Sequence, residues 1–247
     1  MQIYDIIIKN CRQKKKQIAV LVDPDKIDEK GVINLATLAQ KFCPDFIFVG
    51  GSLLTNGSLS NVVSLLKMHC TIPVILFPGN ILQIEAQADA MLLLSLVSGR
   101  NAELLIGNHV VAAPILKEKK LQTISCGYML IESGNITTAL YMSNTQPIPN
   151  TKKDIAACTA LAATMLGMKT IYMDAGSGAA LPVPASMIEA VSAEVDVPLI
   201  VGGGIKTVQQ AQAAWHSGAD IVVVGNAIET DILMMEQMIE AAKVFNA

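Results

Sequence analysis

Short apolar runs, rich in Val, Ile, Leu and Phe, recur along the chain. Each breaks at Gly, Pro, Ser or Asp, and most are followed by a stretch with helical spacing. Eight of these runs read as strands: 18–22, 46–49, 74–77, 90–97, 123–131, 170–173, 199–201 and 221–224. Seven helices are expected between or after them: 32–42, 59–69, 103–117, 155–166, 185–195, 208–217 and 232–245. Near-continuous apolar strands suit a parallel sheet buried on both faces. Strict β/α alternation over 247 residues then predicts one α/β domain, residues 1–247, folded as a TIM (β/α)8 barrel.

The period has one gap. Only residues 78–89 separate the third and fourth strands, about the shortest span that can carry a crossover. The helix there is expected to be missing or very short, at most two turns over 82–88. A gap in the outer wall would let a long substrate emerge sideways; a shortened helix without consequence is the alternative reading.

Barrel chemistry collects where strands end. The first strand runs into Asp23-Pro24-Asp25-Lys26, where Asp23 offers an oxygen ligand for a hard cation such as Mg2+ or else shapes a turn. Asp25 or Asp28 would cap the next helix. The second strand ends in Gly50-Gly51-Ser52, whose hydroxyl suits a cation or a phosphate oxygen, or a turn. Arg100, after the fourth strand, offers a fork for diphosphate or lies at the surface. On the sixth strand, alternation puts Tyr172 and Asp174 on one face, leading into Ala175-Gly176-Ser177-Gly178. Asp174 there could accept a hydroxyl proton. The seventh strand ends in Gly202-Gly203-Gly204 and the eighth in Gly225-Asn226. Exposed N–H groups at such corners are what a phosphate needs, and the last two loops of a barrel are its usual place.

Composition narrows the functions. With 52% hydrophobic and 16% charged residues a large core is available, and a net charge of −3 argues against nucleic acid as a partner. The five cysteines have no zinc or redox spacing and fit a reducing cytoplasm. The apolar runs are too short to span a membrane. His69, His109 and His216 sit in helical sequence, away from the strand ends.

The ordered set Asp-Pro-Asp-Lys (23–26), Val-Gly-Gly-Ser (49–52), Phe-Pro-Gly-Asn (77–80), Leu-Ile-Gly-Asn-His-Val (105–110), Tyr-Met-Asp-Ala-Gly-Ser-Gly (172–178), Val-Gly-Gly-Gly-Ile (201–205) and Val-Gly-Asn-Ala (224–227) resembles the geranylgeranylglyceryl phosphate synthase family over nearly the whole chain. That resemblance implies an Mg2+-dependent prenyltransferase that joins sn-glycerol 1-phosphate to a polyprenyl diphosphate, releases diphosphate and forms homodimers or hexamers. By the same resemblance Asp23 and Ser52 would hold Mg2+. Tyr172, Met173, Asp174, Ala175, Gly176, Ser177, Gly178, Gly203, Gly204, Gly225 and Asn226 would hold glycerol phosphate, with Asp174 and Tyr172 as catalytic residues. Two positions depart from the family pattern: Asp174 stands where Glu is usual, and Leu21 where some relatives carry Lys. The fourth and fifth strands, with Tyr128 and Met129, are candidates for the walls of the prenyl groove, with plain core as the alternative reading. A sugar-phosphate isomerase or thiamine-pathway enzyme on the same barrel, and a phosphate- or lipid-binding barrel without catalysis, are the alternatives.

Overall fold

The computed structural model describes residues 2–225, 228 and 233–246. Eight parallel strands close a barrel in chain order: β1 (Gln17–Val22), β2 (Phe46–Val49), β3 (Val74–Leu76), β4 (Ala90–Leu96), β5 (Thr123–Leu130), β6 (Thr170–Asp174), β7 (Leu199–Gly202) and β8 (Ile221–Val224). β8 pairs back with β1, for example Val222 with Ile18. The ring of helices comprises α2 (Glu29–Phe42), α3 (Leu59–His69), α4 (Asn108–Lys119), α6 (Lys153–Met165), α7 (Ala185–Ser192), α8 (Val208–His216) and α9 (Leu233–Phe245), with α1 (Ile3–Arg12) and α5 (Thr138–Ser143) as additions.

Strand alternation sorts the apolar residues into two cores. Ala19, Phe46, Phe48, Ile75, Leu92 and Tyr172 fill the lumen. Ile18, Val20, Ile47, Val49, Met129 and Met173 face outward under the helices. The lumen is therefore packed, which confines any ligand to the barrel mouth.

Three features differ from the pattern read along the chain. α1 closes the floor of the barrel, with Ile3 and Ile7 one helical turn apart in the luminal core. The expected helix over 103–117 begins as a π-turn, Glu103–Gly107, before α4. Ser95 Oγ donates to the Leu105 carbonyl there, at 3.1 Å. α5 is a short helix over the mouth, capped by Thr137 and stopped by Asn144 in a left-handed conformation. The β3–β4 crossover contains no helix at all, so the expected gap is present.

Candidate active site at the barrel mouth

Tyr172 and Asp174 project from β6 into the mouth, on one face as alternation requires. Tyr172 is 1% exposed and stacks on Phe77, with ring centroids 4.9 Å apart and planes 12° from parallel. Tyr128, its direct neighbour across the β5–β6 ladder, meets it edge-on at 5.6 Å. Gly202 at the end of β7 makes room for the phenol, because a Cβ there would collide with the Tyr172 hydroxyl. That hydroxyl has no hydrogen-bond partner among the described residues, yet it opens on the cavity and is not a sealed orphan.

Asp174 is 5% exposed. Its Oδ2 accepts the Tyr128 phenol proton at 2.5 Å and its Oδ1 accepts the Gly176 N–H at 2.7 Å. Burial raises its pKa above the usual carboxylate value, and those two donors oppose the rise only in part. Both tyrosines are pushed well above the ordinary phenol value, first by burial and then by the Asp174 charge. A carboxylate with a raised pKa, flanked by two neutral phenols, is equipped to take a proton from a bound hydroxyl.

Gly203 and Gly204 follow β7 in consecutive left-handed conformations, with φ of 77° and 70°. This backbone favours glycine. It also crowds Gly203 against β6: an added Cβ would lie 2.5 Å from the Gly176 nitrogen and 2.6 Å from Asp174 Oδ1. The loop is fixed to α8 by a capping box between Thr207 and Gln210, and Gln210 Oε1 also accepts the Lys206 N–H at 2.7 Å.

Across the mouth stands Asp23. Its Oδ1 accepts the Asp25 N–H at 3.1 Å, and its Oδ2 lies 3.4 Å from Lys26 Nζ. Asp23, Lys26, Ser52, Tyr172, Asp174 and the glycine corners line one cavity of about 130 Å3. The cation candidates and the anion cradle thus share a single chamber. A second, apolar cavity of about 310 Å3 runs from it between β4, β5 and α4, past Leu94, Leu96 and Leu104. Gly51, Ser52, Phe77, Tyr128 and Ala139 line both cavities and mark their junction.

Not every residue of the expected set faces the chamber. Met173 and Ala175 belong to the outer core, since alternation turns them away from the mouth. The Gly176 N–H is taken by Asp174 and the Ala175 N–H by the Gly202 carbonyl. Met129 likewise faces the helices, whereas Tyr128 does wall the groove. Arg100 lines neither cavity and donates to the Ser98 carbonyl at 3.2 Å. Of the expected caps, Asp28 holds α2. Asp25 instead receives Thr55, Asn56 and Gly57 of the next loop, which lowers its pKa to about 2. Ser177, Gly178, Gly203, Gly204 and Gly225 line the chamber, and Asn226 lies outside the described residues. Lys206 and Leu21 line it as well. Leu21 packs under Gly225, where a Cβ would sit 3.4 Å from its own. His109 lines the apolar groove, with its Nε2 held 2.8 Å from the Leu94 carbonyl.

The profile of the PcrB family matches residues 10–244. The chain belongs to that family. Its relatives include the geranylgeranylglyceryl phosphate synthase of Spirosoma linguale, 49% identical over 94% of this chain and 93% of the relative. The enzyme of that name from Chitinophaga pinensis is 48% identical over 97% and 95%. The (S)-3-O-geranylgeranylglyceryl phosphate synthase of Thermoplasma acidophilum was solved in complex with its substrate sn-glycerol-1-phosphate. It superposes on this PcrB-family barrel with a TM-score of 0.92 at 30% identity, covering 99% of both chains. The resemblance read from the motifs is therefore a true family membership, and the family is one of prenyltransferases. An N-acetylmannosamine-6-phosphate 2-epimerase from Clostridium perfringens shares the barrel alone, with a TM-score of 0.59 at 12% identity. Among the described residues no helix is long and apolar enough to cross a membrane.

Proposed function

We propose that this protein joins the C3 hydroxyl of sn-glycerol 1-phosphate to geranylgeranyl diphosphate, forming an ether and releasing diphosphate. The observation that carries the reading is the junction itself. A polar chamber with glycine corners opens directly into an apolar groove, as a phosphate-bearing polar reactant and a long hydrocarbon require. The relatives bearing the synthase name and the neighbour solved with glycerol phosphate support the same substrate pair.

The phosphate of glycerol phosphate sits against Gly203, Gly204 and Gly225, with Ser177 and Gly178 on the facing loop. Tyr172 orients the glycerol through its open hydroxyl. Asp174, held by Tyr128 and the Gly176 N–H, keeps lone pairs for the C3 hydroxyl, since a carboxylate can accept about four hydrogen bonds. The C1–oxygen bond of the prenyl diphosphate breaks, its electron pair leaving with diphosphate. The glycerol oxygen bonds to C1, and its proton passes to Asp174. Anchoring both reactants replaces a bimolecular encounter by an intramolecular one. The packed rings close the chamber from below, and the apolar groove lies beside it.

Asp23 and Ser52 fit Mg2+ by their chemistry. They are hard oxygen donors, and Mg2+ is commonly held by one or two carboxylates together with substrate phosphates. Among the described residues no larger acidic or His/Cys cluster competes for the role. When bound there, the ion would neutralise charge on the departing diphosphate. The test is product analysis with C15, C20 and C35 diphosphates plus sn-glycerol 1-phosphate. Ether product that needs added Mg2+ is expected, and diphosphates left unconsumed would refute the reading.

A further inference from the structure

The β3–β4 crossover carries one anomaly. Gln83 is 2% exposed in a segment that is otherwise largely accessible. Its amide spans the backbone of one residue: Nε2 donates to the Gly51 carbonyl at 2.7 Å, and Oε1 accepts the Gly51 N–H at 3.3 Å. A glutamine gives up solvent and rotamer freedom to do this, so the two bonds are what hold it in place.

Gly51 adjoins the diphosphate end of the chamber. A Cβ on it would lie 2.9 Å from Asp23 Oδ1, so its backbone lies close against that carboxylate. Ser52 follows, and both residues stand at the junction of chamber and groove. The crossover presses on the same loop a second time at Gly79, where a Cβ would collide with the Gly51 carbonyl.

Resting on the prenyl-transfer reading, we infer that Gln83 is a positioning residue that fixes the Gly51–Ser52 backbone, and through it the Asp23 and Ser52 oxygens, for magnesium diphosphate. A regular helix between β3 and β4 would hold its own backbone bonds along an outer axis. The helix-free crossover instead folds inward, lends Pro78 and Ile81 to the groove wall, and turns Gln83 onto the loop. Glycerol phosphate, bound at the β6–β8 corners, does not depend on it.

The test measures binding by calorimetry, separately for pyrophosphate with Mg2+ and for sn-glycerol 1-phosphate. Gln83→Met keeps the length of the side chain without its hydrogen bonds. Gln83→Glu keeps the acceptor for the Gly51 N–H and loses the donor, which gives a second variant should the first not fold. Removing an outer-sphere support commonly costs about ten- to a hundredfold in affinity for the metal-bound group. A loss of about tenfold or more for magnesium pyrophosphate, with glycerol phosphate binding within about twofold, is expected in both variants. Equal weakening of the two ligands would reduce Gln83 to a structural residue, and unchanged pyrophosphate binding would remove the role. Wild-type protein that binds no magnesium pyrophosphate would overturn the function as well; wild type that binds it, beside variants that bind equally well, overturns this inference alone.

Discussion

Tyr128→Phe isolates one hydroxyl. The ring stays, with its edge contacts to Phe77 at 5.9 Å and Tyr172 at 5.6 Å, while the 2.5 Å bond to Asp174 disappears. A hydrogen bond to a charged group is worth about 1.5–3 kcal/mol, and here the abandoned acceptor stays buried. In a chain of this size each kcal/mol moves Tm by about 2–4 °C, so a fall of roughly 3–12 °C is expected. If turnover needs the carboxylate where Tyr128 holds it, the same energy lowers kcat/KM about ten- to a hundredfold. The pH profile should change too. The Tyr128 bond holds the Asp174 pKa down against burial, so its loss moves the acid limb to higher pH and the deficit is largest on the acid side. The assay is kcat/KM across pH 5–9 with geranylgeranyl diphosphate, beside thermal melts. An unmoved acid limb with turnover within about twofold of wild type would refute the assignment of Asp174 as proton acceptor supported by Tyr128.

Asp174→Asn should cost turnover by about a hundredfold or more while leaving glycerol phosphate binding, read by calorimetry, nearly unchanged. It should also alter the pH dependence of stability. The folded pKa of Asp174 lies above its unfolded value, so wild type holds this stability at low pH and loses it as pH rises through the folded pKa. The Tm of the variant relative to wild type should therefore climb with pH, and a pH-independent difference would contradict the burial argument. Asp23→Ala should abolish Mg2+-dependent turnover with little change in melting, because its pairing with the exposed Lys26 contributes little; full activity would remove the cation assignment. Asp25 titrates in the opposite sense. Its bonds to residues 55–57 stabilise the protein above the unfolded value of 3.8 and fade as pH falls through about 2. Asp25→Asn should accordingly melt below wild type at neutral pH, with the two curves converging near pH 2.

The strands were legible because a parallel barrel buries both faces, which leaves unbroken apolar runs between glycine and proline. The pairing of Tyr172 with Asp174 followed from a two-residue period. Met173 shows the limit of reading a motif as a block: adjacent positions in a strand face opposite ways, so a contiguous signature mixes lumen and wall. The Tyr128–Asp174 bond depends on the β5–β6 register, which sets Tyr128 beside Tyr172 and cannot be read from either strand alone. Gln83 was hidden for a related reason. A crossover without a helix has no period, and nothing in its composition marks which polar side chain turns inward. For α1 a signal existed, since Ile3 and Ile7 share one helical face, but the basic run after it hides the element.

Closure of the ring has a consequence for biosynthesis. One edge of β1 pairs with β2 and the other with β8, and the Asn246 side chain bonds both the N–H and the carbonyl of Lys16. While the ribosome is still extending the chain, the earliest strand keeps a row of amide groups open until residues 221–224 emerge. The nascent polypeptide is consequently most prone to pair with the wrong neighbour just before its final helix is made.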